Sequence, residues 1–142
     1  METINIIDLE LAPAGNQPCV ISKVAEGKVK DKRGRETDAY LVEAILAATR
    51  QDGIPFVVPK IYKQNQKGLK GLIADAVRLR GGKTFTTDEL KKFNAKAELF
   101  GKSCFASVGR ATENKKTVAC ITVFMPDPSC TVKLPSASQA PA

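Results

Sequence analysis

The chain has 142 residues, 43% of them hydrophobic and 26% charged, which suits one globular core and excludes a wholly disordered polypeptide. Lys and Arg number 22 against 15 acids, a net +7 that draws any polyanion, nucleic acid being the commonest. Acids at Glu2 and Asp8 stand where a signal peptide needs positive charge, and no apolar run is long enough to cross a bilayer, so a cytoplasmic protein without a membrane partner is expected.

Residues 1–16 hold an apolar stretch, Ile4 to Leu11, closed by Ala12-Pro13-Ala14-Gly15, which reads as an extended arm or an edge strand. Cys19 to Glu26 is rich in β-branched residues and predicts a first strand. Lys28 to Arg35, with Lys28, Lys30, Lys32, Arg33, Gly34 and Arg35, then reads as a basic hairpin loop. In Asp38 to Ala48 the Ala, Glu and Leu content favours helix, whereas the Tyr-Leu-Val start and the flanking turn residues favour strand; strand is the reading taken. After the turn Gln51-Asp52-Gly53, the segment Ile54 to Tyr62 must be extended, because Pro55 and Pro59 forbid a regular helix. Pro59 also puts that strand near an edge or a bulge.

From Gly68 the period changes. Leu69, Leu72, Ile73, Ala76 and Val77 fall at helical spacing until Gly81-Gly82 stops the run. Thr86 and Glu89 have capping-box spacing and predict a short helix over Thr87 to Asn94. Cys104 to Val108 and Thr117 to Phe124, separated by the polar turn Ala111 to Lys116, predict a hairpin. Beyond Pro126 the chain is rich in Pro, Ser and Ala, a composition expected of a flexible tail over 127–142. The domain is therefore expected over 17–126.

Three strands, a helical insert and two further strands are the order of an OB-fold, a five-stranded Greek-key barrel with its helix between strands three and four. The expected fold class is thus mainly β with a helical insert. In such a barrel the face of strands two and three, with the loops joining strands one to two and four to five, holds oligonucleotides. Here those loops carry Lys28 to Arg35 and Lys115-Lys116.

The chemistry of an enzyme is missing. Histidine is absent, which removes Ser-His and Cys-His pairs and the commonest neutral-pH base. Gly82-Lys83-Thr84 and Gly101-Lys102-Ser103 resemble the end of a phosphate-binding loop, but the glycine required earlier is replaced by Val77 and Lys96. Four scattered cysteines without histidine offer no zinc spacing and read as reduced thiols. Neither a catalytic residue nor a metal or cofactor is expected.

Single strands are held by cations that follow the phosphates and by aromatic rings that stack on bases. Lys28, Lys30, Lys32, Arg33 and Arg35 form the densest cation cluster, while Lys60, Tyr62 and Lys63 set a ring between two cations. Tyr40 and Phe56 complete the candidate platform, and Phe93, Phe100, Phe105 and Phe124 read as core. A second basic group, Lys63, Lys67, Lys70, Arg78 and Arg80, reads as a polar helix face.

The stretch Pro55-Phe56-Val57-Val58-Pro59-Lys60-Ile61-Tyr62, the step Leu99-Phe100-Gly101-Lys102-Ser103-Cys104, and the ending Val123-Phe124-Met125-Pro126 resemble the small single-stranded-DNA-binding OB-fold proteins of phages and mobile elements. The resemblance spans about residues 14–126. It implies sequence-tolerant binding of single-stranded DNA in replication or recombination, with RNA or an acidic protein partner as alternatives. Unlike many such proteins, the chain ends Ser136-Ala137-Ser138-Gln139-Ala140-Pro141-Ala142 without an acidic tip. Valency is instead expected from a homo-oligomer, with the N-terminal arm as the candidate contact.

Overall fold

The computed structural model describes residues 11–30, 33–113, 115–127, 129, 132 and 133. The apolar arm before Leu11, Lys32 and most of the expected tail lie outside the described residues.

The protein is mainly β, and the described residues form one five-stranded antiparallel sheet and three helices. The strands are β1 (Gly15–Lys30), β2 (Glu36–Thr49), β3 (Pro55–Lys63), β4 (Ser103–Glu113) and β5 (Lys116–Pro126). Between β3 and β4 run α1 (Gln66–Leu79), α2 (Thr87–Lys91) and α3 (Ala95–Leu99). The sheet order is β3-β2-β1-β4-β5, every adjacent pair antiparallel. The long β1 serves two partners: its first residues pair with β4 (Gly15 opposite Val108) and its last with β2 (Lys30 opposite Glu36). Cys19 and Val20 pair on both sides, and the β1–β2 register shifts between Ile21 and Lys23, just past the last residue paired with β4.

The closed barrel expected from the sequence is not formed by the backbone. The sheet ends at β3 on one side and β5 on the other, without a ladder joining them. Four antiparallel steps make β3 and β5 parallel to each other, and the two edges approach closely enough for side chains to span the gap. Pro59 has no N–H to donate, and the edge is instead tied by the Lys60 ammonium, which donates to the Thr122 carbonyl at 2.7 Å.

Burial follows the period-2 alternation of strands. On β2, Val42, Ala44 and Leu46 are buried while Leu41, Glu43 and Ile45 are half-buried; on β3, Val58 and Tyr62 are buried while Val57 and Ile61 are exposed. The core gathers these inward residues with Ile21, Cys104, Ala106 and Phe124, and with Leu72 and Ala76 of α1 and Leu99 of α3. Phe56 packs half-buried against it. Cys19 and Cys104, directly opposite on β1 and β4, bring their sulfurs to 3.6 Å; each is a free thiol.

Local chemistry explains the helix boundaries. Asn65 caps α1 by accepting from the Gly68 N–H at 2.8 Å, and the predicted Thr86–Glu89 capping box is present at the start of α2. The expected helix over 87–94 ends early, at Lys91, and a further helix not expected from the sequence, α3, starts where Asn94 accepts from the Ala97 N–H at 3.2 Å. The Gly101-Lys102 step joins α3 to β4: the Gly101 N–H donates to the Ile21 carbonyl and the Lys102 carbonyl accepts from the Ile21 N–H. Gly101 adopts φ 80°, a conformation that favours glycine. That role accounts for the phosphate-loop-like Gly101-Lys102-Ser103 as a backbone joint.

The sheet begins earlier than expected. β1 starts at Gly15 and Ala12 is fully buried, while beyond β5 the Asp127 side is buried and the Ser103 hydroxyl donates to the Val132 carbonyl. Among the described residues, no helix is long and apolar enough to cross a membrane.

Candidate nucleic-acid interface

The end of the β1–β2 hairpin extends past the last rung of β3, since Lys63 pairs at the level of Ala39 whereas β1 continues through Lys28, Val29 and Lys30. Lys28 and Lys30 are exposed, but they stand in strand rather than loop, with Asp38 and Glu36 directly across from them. Those acids offset part of the hairpin's charge. Arg33 and Arg35 follow, both exposed.

Beneath this hairpin lies a groove of about 620 Å³ whose walls include Val29 and Lys30 of β1, Ile61 and Lys63 of β3, and Lys67, Gly68 and Gly71 of α1. Among the described residues, no Asp or Glu lines it. Lys30, Lys63 and Lys67 come from three elements and are all exposed. The glycines matter to its shape. A Cβ at Gly68 would fall 1.9 Å from the Lys63 carbonyl oxygen, so only glycine lets α1 start this close to β3, and Gly71 leaves open space on the next turn.

Lys60 and Tyr62 do not belong to an exposed platform. Both point inward to Asp75 of α1, which is fully buried. The Lys60 ammonium lies 2.5 Å from Asp75 Oδ2 and 4.7 Å from the centre of the Tyr62 ring, and the Tyr62 hydroxyl donates to the same carboxylate oxygen. The other oxygen accepts from the Arg78 guanidinium and from the Phe124 N–H at 3.3 Å, and Arg78 Nε donates to the Phe124 carbonyl at 3.0 Å. Burial pulls the Lys60 ammonium below the ordinary lysine range against the opposing hold of Asp75, and Arg78 adds to the depression. Burial first, then the Asp75 charge and hydrogen bond, drive the Tyr62 phenol far above its usual value, so it stays protonated. Tyr62 is only 3% exposed and cannot stack on a base. The tyrosine and lysine are inward because even-numbered residues of β3 share the core face, a register that one residue of slip would reverse.

Lys115 and Lys116 are exposed but stand at the far end of the sheet. Gly15, the start of β1, pairs with Val108, and the β4–β5 hairpin continues beyond that row to Glu113 and Lys116. The two basic hairpins therefore bracket opposite ends of the molecule. Between them the outward face of β2 and β3 presents Leu41, Glu43, Ile45, Val57, Pro59 and Ile61, mostly aliphatic and without an aromatic ring.

Rings and cations do meet elsewhere. Tyr40, opposite Glu26 on β1, is half-buried and shares a cleft of about 510 Å³ with Phe93. The α2–α3 segment that carries Phe93 also brings Lys91, Lys92 and Lys96 to this cleft, all exposed. Burial, followed by the Glu26 charge and hydrogen bond, raises the Tyr40 phenol above its ordinary range. Lysines stand on both sides of Phe93 in the sequence, which nonetheless reads that ring, like the other phenylalanines, as core. Of the second basic group, Arg78 is committed to Asp75 and Arg80 to Glu89 and the Phe85 ring, whereas Lys63 and Lys67 line the groove.

No protein-family model matches the chain, and no curated protein is significantly similar to it.

Proposed function

We propose that the protein binds single-stranded DNA without strong sequence preference, through an OB-type sheet, and acts in the cytoplasm in replication or recombination of a phage or mobile element. The order β3-β2-β1-β4-β5, with β3 and β5 running parallel, is compatible with a Greek-key OB barrel opened along one seam, and helices between strands three and four support that reading. The observation that carries the reading is the groove under the β1–β2 hairpin, where Lys30, Lys63 and Lys67 converge from three elements. Cations fixed along a groove release counterions when a phosphate chain enters, which supplies affinity without reading sequence.

Anisotropy titration of a labelled single-stranded oligonucleotide against duplex and RNA competitors, at several salt concentrations, tests it. Single-strand preference with a log-affinity that falls linearly with log salt, by about 0.7 per phosphate neutralised, supports the groove. Binding indifferent to strandedness would reduce the charge to generic attraction.

A protein-interaction role draws on a different observation. Val57 and Ile61 are 52% and 48% exposed on the outward face of β3, with Ile54 at 53% nearby, and Tyr62 is withdrawn from any platform. An aliphatic sheet face of this kind suits contact with another protein or a second copy of the chain. Light scattering on the full chain and on Val57→Glu/Ile61→Glu distinguishes the two: a mass that falls to the monomer in the variant assigns the face to self-association.

A further inference from the structure

We infer that the cleft between Tyr40 and Phe93 is a nucleobase subsite, a place where one base of the bound strand stacks while Lys91, Lys92 and Lys96 hold its flanking phosphates. This rests on the single-strand reading proposed above and adds where the bases go.

Four observations converge on it. The cleft combines two half-buried rings from distant parts of the chain, one on β2 and one between α2 and α3. Its volume of about 510 Å³ is in the range of small-ligand sites. Three exposed lysines rim it, all from the α2–α3 segment, whereas Glu26 lines it from β1. Flat π-faces with cations beside them are the chemistry that recognises a nucleotide, and the outward face of β2 and β3 offers no ring to compete.

The rings are also held in place. Phe93 meets Phe85 edge-on, with centroids 5.4 Å apart and planes at 81°, and the Arg80 guanidinium lies 4.1 Å from the Phe85 centroid. Tyr40 sits in a ladder position of β2, directly opposite Glu26 of β1 and Tyr62 of β3, so its backbone is fixed by pairing on both sides. A ring already ordered loses little freedom when a base lies on it. The cleft lines β1 at Val24 to Glu26, and the cationic groove lines the same strand at Val29 and Lys30, so one chain of nucleotides running along β1 meets both. Glu26 faces the cleft from β1 and repels a phosphate there, which leaves a base as the group that sits against it.

The experiment compares an oligothymidine with an abasic strand of equal length and charge, on wild type, Tyr40→Leu and Phe93→Leu, at fixed salt. The leucines keep apolar bulk, and circular dichroism melts check that each variant is folded. The wild type is expected to prefer the thymidine strand roughly tenfold, the effect of one base–aromatic stack. Each variant should lose most of that preference while binding the abasic strand as the wild type does. Tyrosine emission gives an independent reading, because Tyr40 and Tyr62 are the two tyrosines and Tyr62 is buried: thymidine should quench wild type and leave Tyr40→Phe unchanged. Preference and quenching that survive both leucine variants would overturn the subsite and leave the groove standing. Failure of the wild type to bind either strand would remove the single-strand reading and the subsite together.

Discussion

The Lys60 ammonium and the Asp75 carboxylate, fifteen residues apart in the chain, meet at 2.5 Å between β3 and α1, with the carboxylate fully buried. Asp75 also takes the Tyr62 hydroxyl, the Arg78 guanidinium and the Phe124 N–H, so a single side chain joins β3, α1 and β5.

Removing one member of a buried charge pair strands the other. Asp75→Ala is expected to cost about 3–5 kcal/mol in urea unfolding, and Lys60→Met a comparable share. Lys60→Met should leave the salt dependence of DNA binding as it is, because its ammonium already faces Asp75 and the Thr122 carbonyl. A shallower salt slope in that variant would return Lys60 to the phosphate contacts.

The groove lysines should behave in the opposite way. Lys30→Gln, Lys63→Gln and Lys67→Gln each remove an exposed cation and are expected to change stability by no more than about 0.5 kcal/mol. Each should lower the salt slope by about 0.7 for the phosphate it releases. Lys115→Gln and Lys116→Gln, at the far end of the sheet, should lower it only for oligonucleotides long enough to reach both ends.

Two glycines of α1 separate packing from propensity. Gly68→Ala forces a methyl to within 1.9 Å of the Lys63 carbonyl oxygen and is expected to destabilise by about 1–3 kcal/mol or more. Gly71→Ala has open space around the new Cβ and should stabilise the helix by about 0.5–1 kcal/mol. Thermal melts of the two variants should therefore move in opposite directions.

Glu89 closes the α2 capping box. Its backbone hydrogen bond from Thr86, followed by the Arg80 side chain, holds its carboxyl below the usual 4.5. A depressed folded value means that its contribution is complete above pH 4.5 and is lost as pH falls through the folded value. Glu89→Gln keeps the box but not the charge. Its melting temperature should depend less on pH than that of wild type as acid is added from pH 6 to 3, and parallel curves would show that the charge contributes nothing.

All five strands were legible from runs such as Cys19 to Glu26 and Ile54 to Tyr62, because alternation and proline act locally. Asp38 to Ala48 was the hard segment: its alanines and leucines favour helix, and pairing with β1 and β3 on both sides overrides that propensity. Closure was not legible, since whether β3 and β5 pair depends on the curvature of the whole sheet.

The site was less readable than the fold. Lys60-Ile61-Tyr62-Lys63 looks like a ring between cations, but strand register sends Lys60 and Tyr62 to the core and leaves Lys63 outside. Nothing local marks Asp75 as their partner. Lys67, by contrast, belongs to the groove because Gly68 lets α1 start against Lys63, a close approach between elements that only the folded chain displays.

The ladder-free seam between β3 and β5 bears on how the chain is assembled. Lys60 reaches the Thr122 carbonyl, and Asp75 and Arg78 reach the backbone of Phe124, so partners for the middle of the chain are supplied near its end. A chain in which only β1, β2, β3 and α1 have formed already sets Lys60, Tyr62 and Arg78 on Asp75, but lacks the Phe124 N–H and the Thr122 and Phe124 carbonyls that complete the cluster. The fifth strand acts as a latch, and the cluster is complete only once β5 is in place.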